Sequence, residues 1–148
     1  MWWVRRCNVG FGSSPPVRSA HPRSIGSVLP IADETVDTTV LNPPAGDSGS
    51  DLHYNSITLA VGFGEFQYTT TGDAEAAAEE RIAGAWTDGL DADVYHAGHH
   101  GSSTSSTAPV VDAVTLEMAV VSSAYDSQYG HPHDETLERF DELGIGTY

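Results

Sequence analysis

The sequence predicts an α/β fold, a mixed sheet flanked by helices. Three observations predict it. Segments with an apolar residue at every second position recur from residue 36 onward, segments with helical apolar spacing fall between the later ones, and Gly-, Pro- and Asn-rich turns separate them. At 148 residues the chain suits one domain, and a domain of that size buries roughly 70% of the surface its unfolded chain exposes.

Residues 1–32 hold two Trp, four of the six Arg and a Ser/Pro/Gly-rich stretch from Gly10 to Pro16, with no sustained periodicity. A poorly ordered N-terminal segment without chemistry is expected there. Val36 to Leu41 is strand-like and stops at Asn42-Pro43-Pro44, because proline cannot continue a central ladder. Ser56 to Val61 and Glu65 to Thr69 both alternate with period two around Gly62-Phe63-Gly64, which predicts a hairpin with one buried face. After Thr71-Gly72-Asp73 the period changes. Ala74, Ala78, Ile82 and Ala85 fall on one helical face, and Glu75, Glu79 and Glu80 are expected in water. Asp91 to Ala97 reads as a strand, Thr107 to Val114 as a helix with Pro109 in its first turn, and Glu117 to Ser122 as a strand. The continuous apolar run from Met118 to Val121 suits a sheet covered on both faces. Asp134 is placed to cap a helix carrying Leu137, Phe140 and Leu143 that Gly144 ends, and Ile145 to Tyr148 begins a last strand.

Composition narrows the function. One Cys excludes an internal disulfide framework and a Cys-rich zinc ribbon. No apolar run approaches the ~20 residues that span a bilayer, and the start lacks the apolar core of a signal peptide, so a soluble, cytoplasmic chain is the default expectation. All six bases are Arg, against 21 acids, for a formal charge of -15. Such self-repulsion destabilises a compact state in dilute buffer and is screened at molar salt. A Lys-free, acid-rich surface therefore points to a high-salt cytosol of the haloarchaeal kind, or else to biased genome composition. The same charge disfavours broad nonspecific nucleic-acid binding. It leaves open a metal site handling phosphate esters, since the metal carries the positive charge.

Five of the seven His lie between residues 96 and 133, and the clusters fall at element ends. Asp73 follows the second hairpin strand, His99 and His100 follow the next strand, and His131 and His133 follow the one after. In an α/β sheet such positions gather along one rim, where ligand sites are built. Each has a plainer reading by itself: Asp73 as a helix cap, His99-His100-Gly101-Ser102 as a polar turn, His131-Pro132-His133 as a rigid helix start. Together, a carboxylate and several imidazoles are the ligand types for zinc, or for manganese or iron with more oxygen.

Thr70-Thr71-Gly72-Asp73-Ala74-Glu75, His96-Ala97-Gly98-His99-His100-Gly101-Ser102 with Ser103-Thr104-Ser105-Ser106, and Tyr129-Gly130-His131-Pro132-His133 resemble, in order and spacing, the metallo-β-lactamase superfamily. The nearest branch is the hydrolase-like domain of ComEC-type competence proteins, which Leu41-Asn42-Pro43-Pro44, Asn55-Ser56 and Gly64-Glu65-Phe66 also resemble. The resemblance covers roughly residues 33–148. It implies an αββα sandwich with Zn2+ (or Mn2+), one or two ions, at the sheet edge. It implies Asp73, His99 and His131 as metal ligands, His131 and His100 as catalytic groups, and Gly101, Ser102 and Ser103 as phosphate contacts. It implies a metal-dependent hydrolase directed at phosphodiesters, with nucleic acid as a substrate.

The departure from that family is the absence of its HxHxDH or HxDxDH motif. His21 and His53 are the only His before residue 96, and neither carries the following acids. The chain thus reads as the C-terminal half of the sandwich, with an incomplete second metal position. Two rivals follow: a catalytically silent truncated fragment kept as an interaction module, and a subunit whose site is completed by an upstream polypeptide carrying the missing half.

Overall fold

The computed structural model describes residues 35–46, 48–86 and 90–148, and the expectation for residues 1–32 lies outside them. Six strands form one mixed sheet in sequence order: β1 (Val36–Asn42), β2 (Thr58–Phe63), β3 (Phe66–Thr70), β4 (Val94–His96), β5 (Met118–Val120) and β6 (Gly146–Thr147). β1, β2 and β3 pair antiparallel, and β3 to β6 pair parallel. Parallel neighbours need crossovers, and α1 (Ala76–Ala85), α2 (Ala108–Val114) and α3 (Asp134–Glu142) supply them.

Register places Ala60, Thr69, Tyr95 and Ala119 in one row on one face of the sheet. Tyr95 and Ala119 are fully buried there with Ala78 and Ile82 of α1, Val110, Val111 and Val114 of α2 and Phe140 of α3. All three helices thus share one core on one face. The alternate residues Leu59, Val61, Tyr68, Val94, Met118 and Val120 lie on the other face and are half-buried or exposed, Met118 at 37%. The expected double cover of the Met118–Val121 run is therefore not met among the described residues. The arrangement is an α/β sandwich with one covered face.

Other differences are local. The hairpin turns at Gly64-Glu65, with Gly62 and Phe63 still in β2 and Phe63 opposite Phe66. In α1, Ala78 and Ile82 point inward as expected, but the chain leaves the helix at Trp86 and Ala85 stays exposed. Glu79, expected in water, is completely buried, because α2 and the turn preceding it pack over that side of α1. Asp134 is the first residue of α3 and not its cap. His133 holds the N-cap position, and its ring is bonded elsewhere. Phe140 is buried, whereas Leu143, just past the last turn, is half-exposed.

Candidate functional site

Strand direction brings the candidate residues together. β3, β4 and β5 are parallel, so Thr71-Gly72-Asp73, Gly98 to Gly101 and the segment after Val120 all leave the sheet at one edge. β1 ends and β2 begins at that edge too, since Asn42 lies opposite Thr58 and Leu59 opposite Thr70. The loop from residue 43 to 57, which carries His53, therefore hangs over the same rim. Asn42 fixes it: its buried amide donates to the Tyr54 and Ser56 carbonyls at 2.9 and 2.5 Å and accepts from Arg81.

The turn after β3 depends on Gly72, at φ +56°, where a Cβ would meet Ser56 Oγ at 2.6 Å and the Ile57 carbonyl oxygen at 2.9 Å. The close approach lets the Asp73 N–H donate to Ser56 Oγ at 2.7 Å, while the Asp73 carbonyl accepts from His53 Nδ1–H at 3.0 Å. The turn after β4 docks on it through the His99 N–H and the Gly72 carbonyl, 2.8 Å apart. His99 and His100 both sit in the left-handed region, at φ 47° and 57°. Consecutive non-glycine residues there store strain that surrounding contacts must hold. Support comes from below through Ser106, whose Oγ accepts from the Gly98 N–H at 3.0 Å, and Glu79 holds that segment by accepting from Ser106 N–H, Thr107 N–H and the Thr107 hydroxyl at 2.8, 2.8 and 2.7 Å. Arg139 of α3 caps the Ser106 carbonyl at 2.7 Å. Desolvation outweighs these hydrogen bonds and raises the Glu79 pKa.

The third turn, Gly130 to His133, is tied to the second by the His133 N–H on the Gly101 carbonyl at 2.9 Å. His133 is internally satisfied: Nδ1 accepts from Ser103 N–H at 3.0 Å and Nε2–H donates to the Tyr129 carbonyl at 3.0 Å. It has no lone pair to offer a ligand.

The other rings form an open imidazole array. His53 stacks on His99 at 4.9 Å between centroids, His99 lies 5.6 Å from His131, and His100 stacks on His131 at 6.4 Å. His53 and His100 each spend Nδ1–H on a backbone carbonyl, His100 on Ser122 at 2.8 Å, which leaves Nε2 with its lone pair outward. His131 is held below the ordinary imidazole range, first by partial desolvation and then by His133, His99 and His100, with Asp73 opposing. The shift favours the neutral, ligating form. The structure thus brings His99, His100 and His131 to one place with Asp73 exposed beside them. Gly101 and Ser102 are buried, the Ser102 N–H donates to the His99 carbonyl, and Ser103 keeps its hydroxyl at the surface of the turn, 3.0 Å from His133 Nδ1.

Two residues that sequence reasoning passed over complete the array. His53 looked isolated in the sequence, and Glu75 was expected in water. Donor atoms of His53, Glu75 and His99 all lie within 4.8 Å of one another, and this trio is a potential metal-binding group. The available signal was that Glu75 stands two residues after Asp73 and His53 stands just before the Asn55-Ser56 pair that closes on the Gly72 turn. The array is flanked by a cavity of about 360 Å³ lined by Asp51, His53, Tyr54, Glu75, Ser103 and Thr104, and by another of about 480 Å³ lined by His100, Tyr129 and His131.

With these turns on one rim, the chain is 35% identical over 102 residues to competence protein ComA of Neisseria gonorrhoeae, covering 69% of this chain and 15% of that protein. ComE operon protein 3 of Bacillus subtilis is 31% identical over 113 residues, covering 76% of this chain and 14% of the relative. Recombination protein 2 of Haemophilus influenzae is 33% identical over 85 residues, covering 57% and 10%. The chain therefore spans about one-seventh of the length of the first two of these relatives. No protein-family profile matches the chain. No helix among the described residues is long and apolar enough to cross a membrane.

Proposed function

We propose that this chain is the C-terminal half of a metallo-β-lactamase-type domain in a competence-related protein, a metal-dependent hydrolase acting on phosphodiester bonds of nucleic acid. The observation that supports it best is the convergence of His99, His100 and His131 with Asp73 on the rim where three parallel strands end. Imidazoles with free ring nitrogens beside a carboxylate suit zinc or manganese. Asp73, His99 and His131 are the residues proposed to hold it. A divalent cation held there would supply Lewis acidity and make water a better nucleophile near neutral pH.

The chain's own residues set up the rest. Ser122 fixes the His100 tautomer through Nδ1–H, so Nε2 can accept a proton from an approaching water or, once protonated, give it to the leaving oxygen. His131 lies beside it with its pKa lowered by partial desolvation, which favours the neutral form. The Ser103 hydroxyl is the group of the Gly101-Ser102-Ser103 turn best placed to touch a phosphate oxygen, because the Ser102 and Ser103 amides are already bonded. Tyr129, 68% exposed and 5.9 Å from His131, offers a face on which a nucleobase can stack.

Turnover of bis-p-nitrophenyl phosphate and of single-stranded DNA, in high salt with zinc or manganese, tests this. Steady metal-stimulated turnover that vanishes in an Asp73→Ala/His131→Ala double variant is the expected result. No turnover with either metal overturns hydrolysis by this chain alone. A second reading is favoured by the half-open apolar face of β2 to β5. There the chain is catalytically silent by itself and packs against a polypeptide carrying the HxDxDH half, and co-expression with such a half should restore turnover.

A further inference from the structure

We propose that His53, Glu75 and His99 form a zinc-type divalent cation site, distinct from the Asp73–His131 side of the cluster, in which His53 Nε2, a Glu75 carboxylate oxygen and His99 Nδ1 are the ligands. The proposal needs His99 as a ligand but makes no use of hydrolysis.

Three observations carry it. His99 Nδ1 is buried and has no hydrogen-bond partner among the described residues, an expensive state for a polar ring atom. It faces Glu75 Oε1 at 3.6 Å, too far for a hydrogen bond. Two ligands about 2.1 Å from a tetrahedral zinc stand about 3.4 Å apart, so this separation fits a shared cation. Finally, His53 gives its Nδ1–H to the Asp73 carbonyl at 3.0 Å, the outer contact that metal-bound histidines commonly make, and this leaves Nε2 as its donor.

Placement of the trio is built into the fold. Asn42 clamps the loop bearing His53, Thr104 donates to Glu75 Oε1 at 3.0 Å, and the Gly72 carbonyl holds the His99 backbone. Two imidazoles and one carboxylate are a donor set used by hydrolytic zinc sites with an open fourth position. The cavity of about 360 Å³ beside His53 and Glu75 gives that position access to solvent. A neutral imidazole has one lone pair, so His99 serves either this cation through Nδ1 or the one proposed with Asp73 and His131, and the two positions compete for it.

The test is zinc binding by the full chain in high salt, followed by calorimetry, by the visible spectrum of the cobalt form and by the zinc-induced rise in Tm. Zinc affinity should fall about 100-fold or more in His53→Ala and in Glu75→Gln, and stay within about threefold in His131→Ala. The four-coordinate cobalt absorption should vanish in the first two variants. Glu75→Gln keeps the Thr104 contact and carries the test alone if His53→Ala does not fold. Wild-type binding retained in Glu75→Gln, affinity that follows His131 instead, or no zinc binding at all overturns the site. Hydrolysis is not read in any arm, so a failed turnover assay leaves this result standing on its own.

Discussion

Glu79 Oε2 accepts from both the backbone N–H and the hydroxyl of Thr107, at 2.8 and 2.7 Å, inside the core. This carboxylate joins α1 to the start of α2 and, through Ser106, to the turn that strains His99 and His100. A buried acid anchoring a strained turn is the structural support for the imidazole array.

Replacing Glu79 by Gln should destabilise the protein by about 1–3 kcal/mol, because the new amide N–H2 must face a backbone donor. The pH dependence follows from the direction of the shift. Burial raises the folded-state pKa above its ordinary 4.5, so stability tied to the protonated acid is complete below that value and is lost as pH rises through the folded one. The wild-type advantage over Glu79→Gln in urea unfolding should therefore shrink as pH rises from about 4.5. An advantage that grows over that range would contradict it.

Gly101→Ala should be costly and Gly84→Ala favourable. A Cβ on Gly101, at φ +80°, meets Pro132 Cβ at 2.7 Å and Val121 Cγ1 at 3.1 Å, separating the second and third turns. The cost should exceed about 1 kcal/mol and be visible as a lower Tm. A Cβ on Gly84, inside α1, meets nothing within 4 Å, and Ala there should add about 0.5–1 kcal/mol.

Salt should stabilise the fold strongly. Arg81 and Arg139, the arginines among the described residues, bond Asn42 and the Ser105 and Ser106 carbonyls and not surface carboxylates. With a formal charge of -15, Tm should rise steeply from about 0.1 M to 1 M potassium chloride as the Debye length falls from about 10 to 3 Å. A flat Tm would remove the argument for a high-salt habitat.

His131 should titrate below the ordinary imidazole value of 6.5 in an NMR pH series, and His100→Gln should move it upward by removing one neighbouring charge. Because its folded pKa is depressed, the neutral form carries the stability, which is lost as pH falls from about 6.5 through the folded value. An unshifted His131 would contradict both its partial desolvation and the crowding of the neighbouring rings.

The sequence by itself determined the element order, the α/β class and the rim. Period-two and helical spacing are local properties, and residues just past successive parallel strands must share an edge, so Asp73, His99 and His131 were legible as neighbours. What lay beyond local pattern was decided by packing. Glu79 carries the same side chain as exposed Glu80, and only α2 and the turn before it, laid over one side of α1, separate a buried anchor from a solvated acid. His53 carries no motif, and reaches His99 only because β2 runs antiparallel to β3 and Asn42 pins the loop over the rim. Which imidazoles keep a lone pair was likewise a tertiary matter: His133, as suggestive in the sequence as His131, spends both ring nitrogens on Ser103 and Tyr129. Hydrogen-bond partners remote in the chain make that choice, and spacing does not encode them.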